Sequence, residues 1–282
     1  MLVWRKVSTE KWSDSWQERL GFVAPHCLVI TRFGDSRRVR LEVFDISESL
    51  SRVLLRRFGG EVRTLTHSTA DWVRSTTLKK TISFRGRLFL VNADIAIDPK
   101  LERSSLRIPA SMAFGTGEHA TTSTCLRWLC DLAPSGRRPW RFLDIGMGTG
   151  ILAIGAAKLN ASGVAGFDLD PTAVRIAREN AILNGVRFVH FFREDVLKYK
   201  PAGTFDIVAA NLYSEILVRA SGRIWAALAP QGFCLVSGIL RDQTESVLAA
   251  IRRLDAQIIA TRVRGKWVTI LARKGEEIAN SR

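Results

Sequence analysis

No apolar stretch of this chain is long enough to cross a bilayer. The longest, Gly150–Ala157, is interrupted by Lys158 and Asn160, well short of the roughly 20 residues a spanning helix needs. The first residues, Met1 followed by Leu2-Val3-Trp4-Arg5-Lys6, lack the apolar core of a secretory leader. Both absences predict a soluble, cytoplasmic protein with no membrane partner. Cysteine is scarce. Cys27, Cys125, Cys130 and Cys234 form no CxxC pair and have no histidine at a zinc-ligand spacing, so neither a metal centre nor a disulfide framework is indicated. Four buried free thiols are the simple expectation. Low-complexity and collagen-like bias are absent too, with 21 Gly and 8 Pro in 282 residues, and a hydrophobic fraction of 46% excludes a disordered chain.

Acidic residues are outnumbered, 27 Asp+Glu against 42 Lys+Arg, for a formal net charge of +15. The surplus forms no tail. Residues 1–110 carry 20 basic and 12 acidic groups, residues 111–282 carry 22 and 15. Local clusters stand at Arg37-Arg38-Val39-Arg40, Arg56-Arg57 and Lys79-Lys80. Such a field attracts polyanions and says little about fold.

Residues 1–67 read as a small β-α-β-β-α-β unit, the order of a ferredoxin-like domain. Leu2–Val7 is a strand pattern. Ser8 or Thr9 can cap a helix carrying Trp12, Trp16 and Leu20 on one stripe, with Gly21 at its end. Cys27–Phe33 and Val39–Asp45 are strand-like runs around the turn-forming Gly34-Asp35-Ser36. Ser47 caps a second helix with Leu50, Leu54 and Phe58, stopped by Gly59-Gly60, and Glu61–Leu65 is extended. Residues 68–110 read as a connecting segment with short extended pieces at Thr81–Phe84, Leu88–Val91 and Leu106–Ile108. It is too apolar for a free linker.

From residue 111 to 282 strands and helices alternate. Helices are expected at His119–Leu132 and Ile151–Leu159, and another after the Asp170-Pro171 start, ending at Asn184-Gly185. Strand runs stand at Arg141–Ile145, Val164–Phe167, Phe188–Phe192, Phe205–Ala210, Phe233–Ser237 and Val268–Ala272. Strands apolar on both faces, joined by helices, specify an α/β doubly wound, mostly parallel sheet.

The chemistry gathers at the strand ends. Asp144-Ile145-Gly146-Met147-Gly148-Thr149-Gly150 leads from strand to glycine turn to helix, where missing Cβ atoms permit positive φ and close ligand approach. Asp168 stands 24 residues after Asp144 at the next strand's end, where a carboxylate can accept both hydroxyls of a ribose. A dinucleotide site prefers GxGxxG. The GxGxG spacing after an acidic residue is the pattern of S-adenosylmethionine enzymes, with that acid able to face the cofactor's ammonium or sulfonium side. Glu194-Asp195 follows the next strand, where Asp195 can accept from an adenine amine. Asn211-Leu212-Tyr213 follows Phe205–Ala210, and the Asn211 amide suits the holding of a substrate amine. Upstream, Phe114-Gly115-Thr116-Gly117-Glu118-His119 is a glycine-hinged loop entering a helix. His119 there is either a capping or packing residue or a base.

The block Met112-Ala113-Phe114-Gly115-Thr116-Gly117-Glu118-His119-Ala120-Thr121-Thr122, with Asp144–Gly150, Gly166-Phe167-Asp168-Leu169-Asp170-Pro171, Ala210-Asn211-Leu212, Ser237-Gly238-Ile239-Leu240 and Lys266-Trp267, resembles the ribosomal protein L-eleven methyltransferase family, PrmA. The resemblance runs through about residues 105–273. It implies a seven-stranded class I methyltransferase sheet. It also implies cofactor contacts at Thr122, Gly146, Asp168 and Asn211, to which the turn adds Gly148 and the adenine loop Asp195. Methylation of lysine side chains or N-terminal amines of the large-subunit ribosomal protein is implied, with the N-terminal ferredoxin-like domain holding that substrate.

Amine methylation demands no dedicated base if the amine is desolvated and aligned. Asn211 is then the positioning residue, and Phe114, His119 and Tyr213 line the substrate pocket. The basic surface adds a possible ribosomal RNA contact. Three other functions fit the same fold: an RNA methyltransferase, a lysine methyltransferase of another protein, and a non-catalytic ribosome-associated scaffold. The RNA enzyme's usual Asn-Pro-Pro-Tyr tetrapeptide is absent, and the intact glycines, Asp168 and Asn211 argue against the scaffold.

Overall fold

The computed structural model describes residues 2–9, 16, 19–20, 22–23, 27–32, 38–44, 46–64, 81–93, 98–109, 114–115, 117–136, 138–254 and 256–276. The chain divides into two compact units, Met1–Thr76 and Thr77–Arg282.

In the first unit β1 (Leu2–Thr9), β2 (Leu28–Arg32), β3 (Arg38–Phe44) and β4 (Glu61–Thr64) form an antiparallel sheet of order β2-β3-β1-β4. That is the order a ferredoxin-like chain generates. One helix, α1 (Glu48–Phe58), is capped by Ser47, whose Oγ accepts from the Leu50 N–H at 3.2 Å, and ends at Gly59 with φ 66°. Trp4 is fully buried among Trp16, Leu41, Val43 and Leu54, and its Nε1 donates to the Gly59 carbonyl at 2.7 Å. Cross-strand Arg5 and Glu42 pair at 2.6 Å.

Ser8 does not cap a helix, and the residues that Thr9 would cap, 10–15, lie outside the described ones. Both belong to β1, opposite Val39 and Arg38, and the Ser8 hydroxyl accepts from Trp16 Nε1 at 2.8 Å. The ladder of β3 extends the strand through them. Leu20 N–H donates to the Trp16 carbonyl at 3.0 Å, a helical bond. Trp12, Gly21, the turn Gly34-Asp35-Ser36 and Arg37 lie outside the described residues.

In the second unit β5 (Ile82–Phe84), β6 (Leu88–Val91) and β7 (Ser105–Arg107) form a small sheet. Phe84, Leu88, Leu90 and Leu106 are buried in one cluster with Leu126 and Leu129 of α2 (Ala120–Leu132). The segment read as a connector therefore contributes strands to this unit's core. Asn184 fastens β7: its Oδ1 accepts from Arg107 N–H, and its Nδ2 donates to the Arg107 carbonyl, both at 2.8 Å.

The main sheet has seven strands. They are β8 (Arg141–Ile145), β9 (Gly163–Asp168), β10 (Val189–Arg193), β11 (Phe205–Asn211), β12 (Leu228–Leu240), β13 (Ala256–Arg264) and β14 (Trp267–Lys274), in the order β10-β9-β8-β11-β12-β14-β13. All pairings are parallel except those of β14. Helices α3 (Ile151–Lys158), α4 (Pro171–Leu183), α5 (Ser214–Ala226) and α6 (Thr244–Arg252) cross between strands. Phe142, Ile207, Ala209 and Leu235 enter the core on one face, and Leu143, Ile145, Val208, Ala210 and Val236 enter the other. That two-sided burial is why these strands read as continuous apolar runs. Cys125, Cys130 and Cys234 are buried, whereas Cys27 is only half-buried, which corrects the expectation of four buried thiols. Among the described residues no helix is long and apolar enough to cross a membrane, and no cluster of His, Cys, Asp or Glu could hold a metal ion.

Candidate functional site

Strand order reverses at β8, which lies between β9 and β11. A doubly wound sheet opens a crevice at such a point, outside the carboxyl ends of the strands. The glycine turn lies there. Gly146, Gly148 and Gly150 have φ of 67°, 52° and 75°, the left-handed region that favours glycine. Space enforces the same choice. A Cβ on Gly146 would strike the Leu212 side chain, and one on Gly148 the Phe114 carbonyl. The turn thus touches both the Phe114 loop and the Asn211–Tyr213 segment.

Asp168 ends β9 and fastens the turn. Its Oδ2 accepts from Gly148 N–H and its Oδ1 from Asp170 N–H, both at 3.0 Å. Each oxygen keeps a second lone pair for a further donor. Gly146 and Met147 N–H donate to the Phe167 carbonyl at 2.9 and 3.1 Å. Thr149 N–H donates to the Phe114 carbonyl at 3.0 Å, and its hydroxyl to the Gly115 carbonyl at 2.5 Å. Asn180 Nδ2 donates to the Thr149 carbonyl at 2.9 Å. The turn is a fixed cradle before any ligand arrives.

Asp144, within β8, points into the protein. It is 1% exposed, and its Oδ2 accepts from the Ala153 N–H of α3 at 3.2 Å. Burial pushes its carboxyl up to about 7, against the pull of the Ala153 bond and with the Asp168 charge adding to the rise. The group therefore titrates near neutrality.

Two buried oxygens have no partner among the described residues: Thr122 Oγ1, in the first turn of α2 beside the Thr121 that bonds His119, and Asn211 Oδ1, at the end of β11 beside the Leu212 that packs on Gly146. Ser214 Oγ, opening α5, is a third. An unpaired buried polar atom costs about 1–3 kcal/mol, so an orphaned Asn211 Oδ1 at a strand end fits a ligand that supplies a hydrogen bond. Phe114, Leu169 and Tyr213 are 56%, 59% and 66% exposed, apolar surface at the rim.

His119 sits between two rings. Its imidazole meets Phe114 and Trp267 edge-on, each centroid 5.1 Å away, and its Nδ1 bonds the Thr121 hydroxyl at 2.7 Å. Burial, and then the Lys266 charge, lower its pKa, which favours the neutral ring. Met112, Ala113 and Thr116 of the same loop lie outside the described residues.

The structure thus brings together Phe114, His119, Gly146, Gly148 and Asp168 through direct contacts, and Asn211 through its neighbour Leu212. Tyr213 stands at the N-cap of α5 and makes no side-chain cap bond. Asp195 is less direct. Glu194 N–H donates to the Asp168 carbonyl at 3.1 Å, but the Asp195 Oδ1 accepts from Leu197 N–H at 2.9 Å, capping its own turn.

Sequence reasoning gave no role to Leu169, Ser214 or the packing of Trp267. Leu169 had a signal, an apolar residue directly after Asp168. The contact between Trp267 and His119 had none, because 148 positions separate them. The three buried thiols are not activated: burial pushes Cys125 and Cys234 to about 12 and Cys130 to about 11.

A family model described as ribosomal protein L11 methyltransferase (PrmA) matches residues 39–275. A protein of that name from Symbiobacterium thermophilum is 38% identical over 188 residues, covering 67% of this chain and 60% of the relative. One from Chloroflexus aurantiacus is 32% identical over 240 residues, covering 76% and 72%. The crystal structure of a ribosomal protein L11 methylase from Lactobacillus delbrueckii subsp. bulgaricus matches with a TM-score of 0.61 at 28% identity, over 69% of this chain and 98% of that one. The chain spans about three fifths of the length of the first of these curated relatives.

Proposed function

Since the chain belongs to the ribosomal protein L11 methyltransferase (PrmA) family, we propose that it binds S-adenosylmethionine in the glycine cradle and methylates amines of a ribosomal protein, lysine side chains or the N-terminal amine. The observation that carries this reading is the unpartnered buried Asn211 Oδ1, whose neighbour Leu212 packs on a turn that leaves no room for a Cβ. The cofactor, when bound, supplies an activated methyl on a sulfonium. Asp168 offers its spare lone pairs to ribose hydroxyls. Gly146 and Gly148 give it close approach, and Thr122 and Asp195 are further cofactor contacts.

The chain's own residues must then deliver a neutral amine. A free lysine is uncharged only about one part in a thousand at pH 7.4. The rim of Phe114, Tyr213 and His119 desolvates the ammonium and so favours its loss of a proton. Asn211 Oδ1 accepts from the amine and aims its lone pair, the kind of alignment that lowers a displacement barrier. No side chain is required as a dedicated base.

The first unit is assigned to substrate recognition and residues 111–282 to catalysis, with β5–β7 before them packing into the same core as α2. Arg38, Arg40, Arg56 and Arg57 add a contact to ribosomal RNA, and the reaction is placed in the cytoplasm. Isothermal titration with S-adenosylmethionine tests the cofactor. Labelled cofactor incubated with purified large ribosomal subunits and with the free ribosomal protein, followed by peptide mapping, tests the substrate. Label on protein amines is the expected result; label that nuclease removes would assign RNA instead.

A further inference from the structure

The arginines of the second unit are unevenly placed. Ser123, Arg127 and Asp131 recur every fourth residue of α2 and so stand on one face, about 6 Å apart along the axis. Arg264 of β13 reaches this face and donates to Ser123 Oγ. Arg262, two residues earlier on the same side of that strand, has its guanidinium over the Trp128 ring at 5.8 Å. Arg127 lies over Phe84 at 5.4 Å. Arg85, in the turn between β5 and β6, pairs with Asp131 at 2.9 Å.

One carboxylate therefore stands among four guanidinium groups, and Arg85 already occupies it. Among the described residues Arg127, Arg262 and Arg264 have no ion pair. Burial, then the charges of Arg264, Arg85 and Arg262, lower the pKa of Arg127, the mark of like charges held close.

We infer that this face of α2 and β13 is a docking surface for the phosphate backbone of RNA. Guanidinium forks match phosphate oxygens two at a time. Here the aromatic rings behind Arg127 and Arg262, and the Ser123 bond of Arg264, hold the forks on regular elements. An acidic protein partner fits less well, because protein interfaces centre on apolar anchors, and the aromatic rings here, Trp128 and Phe84, are buried beneath the charge. The surface serves binding whatever amine is methylated.

The test measures anisotropy of a fluorescein-labelled RNA hairpin on the full chain across a salt series. Each phosphate contact contributes about 0.7–0.9 to the slope of log affinity against log salt. The variant R127Q/R262Q/R264Q is expected to bind at least tenfold more weakly at low salt, with the slope reduced by about 2–3. The double variant R127Q/R262Q keeps the Arg264–Ser123 bond and is expected to lose about two thirds of that slope. R56Q/R57Q, in the other unit, should leave this component in place. Retained S-adenosylmethionine affinity in the triple variant shows that fold and cofactor site survive, so the cofactor reading stands or falls separately. Unchanged RNA affinity and slope in both variants would overturn the inference. So would equal competition by poly-glutamate at matched charge, which would make the face a general acidic-polymer site.

Discussion

Asp168 holds two backbone N–H groups and has capacity left for a ligand, so its replacement acts twice. Asp168→Ala removes the anchor of Gly148 and the acceptor offered to ribose. Cofactor affinity is expected to fall by about 1.5–3 kcal/mol, the range for hydrogen bonds to a charged group, as read by calorimetry on the folded variant. Unchanged affinity would remove Asp168 from the site. Gly148→Ala is a sharper probe, since its φ of 52° and the Phe114 carbonyl in its path both oppose a side chain. It should abolish cofactor binding while the far-ultraviolet spectrum stays native.

Asp144 sets a pH dependence. Its carboxyl keeps a proton up to about pH 7 in the folded chain and releases it near 4 when unfolded. Between those values the folded state binds more protons, so this group's contribution to stability falls as pH rises and levels off above 7. Asp144→Asn keeps an acceptor for Ala153 and cannot titrate. Urea midpoints measured from pH 5 to 8 should decline less steeply in the variant, and parallel curves would show that Asp144 is not the group responsible.

Elements differed in how openly the sequence declared them. β8, β9 and β11 were legible because both faces are buried, so each is mostly apolar and ends at glycine, Asp168 or Asn211. Helix α4 announced itself at both ends: Asp170 Oδ1 accepts from Thr172 N–H at 2.7 Å, Pro171 opens the helix, and Gly185 follows with φ 67°. β13 was missed because it is the outer strand and largely exposed, leaving no apolar stripe to read. β12 runs well beyond Phe233–Ser237, because pairing with β11 and β14 extends it across Pro230 and Gly238. Ser8 misled for the opposite reason. Its hydroxyl is a good cap in isolation, but β3 offers a ladder to its backbone. In the first unit α1 depends on a local cap that can be removed cleanly: Ser47→Ala should lower that unit's stability by about 1 kcal/mol, measured by chemical unfolding followed at its tryptophans.

At the scale of the whole molecule, each unit has its own core, so the cofactor site should not need the first. A chain beginning at Thr77 is expected to fold and to bind S-adenosylmethionine with full-length affinity. Its initial rate on free ribosomal protein should fall sharply if the first unit holds the substrate. Equal rates would give that unit another role.

The outer position of β13 has a consequence for solubility. Among the described residues no strand covers it, and it exposes Ile259 and Val263. An open apolar strand is a template for pairing with another copy. Arg262 and Arg264 flank Val263, so two chains meeting edge to edge would bring like charges together before a ladder could form. The arginines act as gatekeepers against fibrous assembly as well as contacts for a polyanion. R262Q/R264Q should therefore scatter light progressively on storage at high concentration, fastest in high salt, where the remaining charge is screened; a variant as clear as the parent chain would show that something else guards this edge.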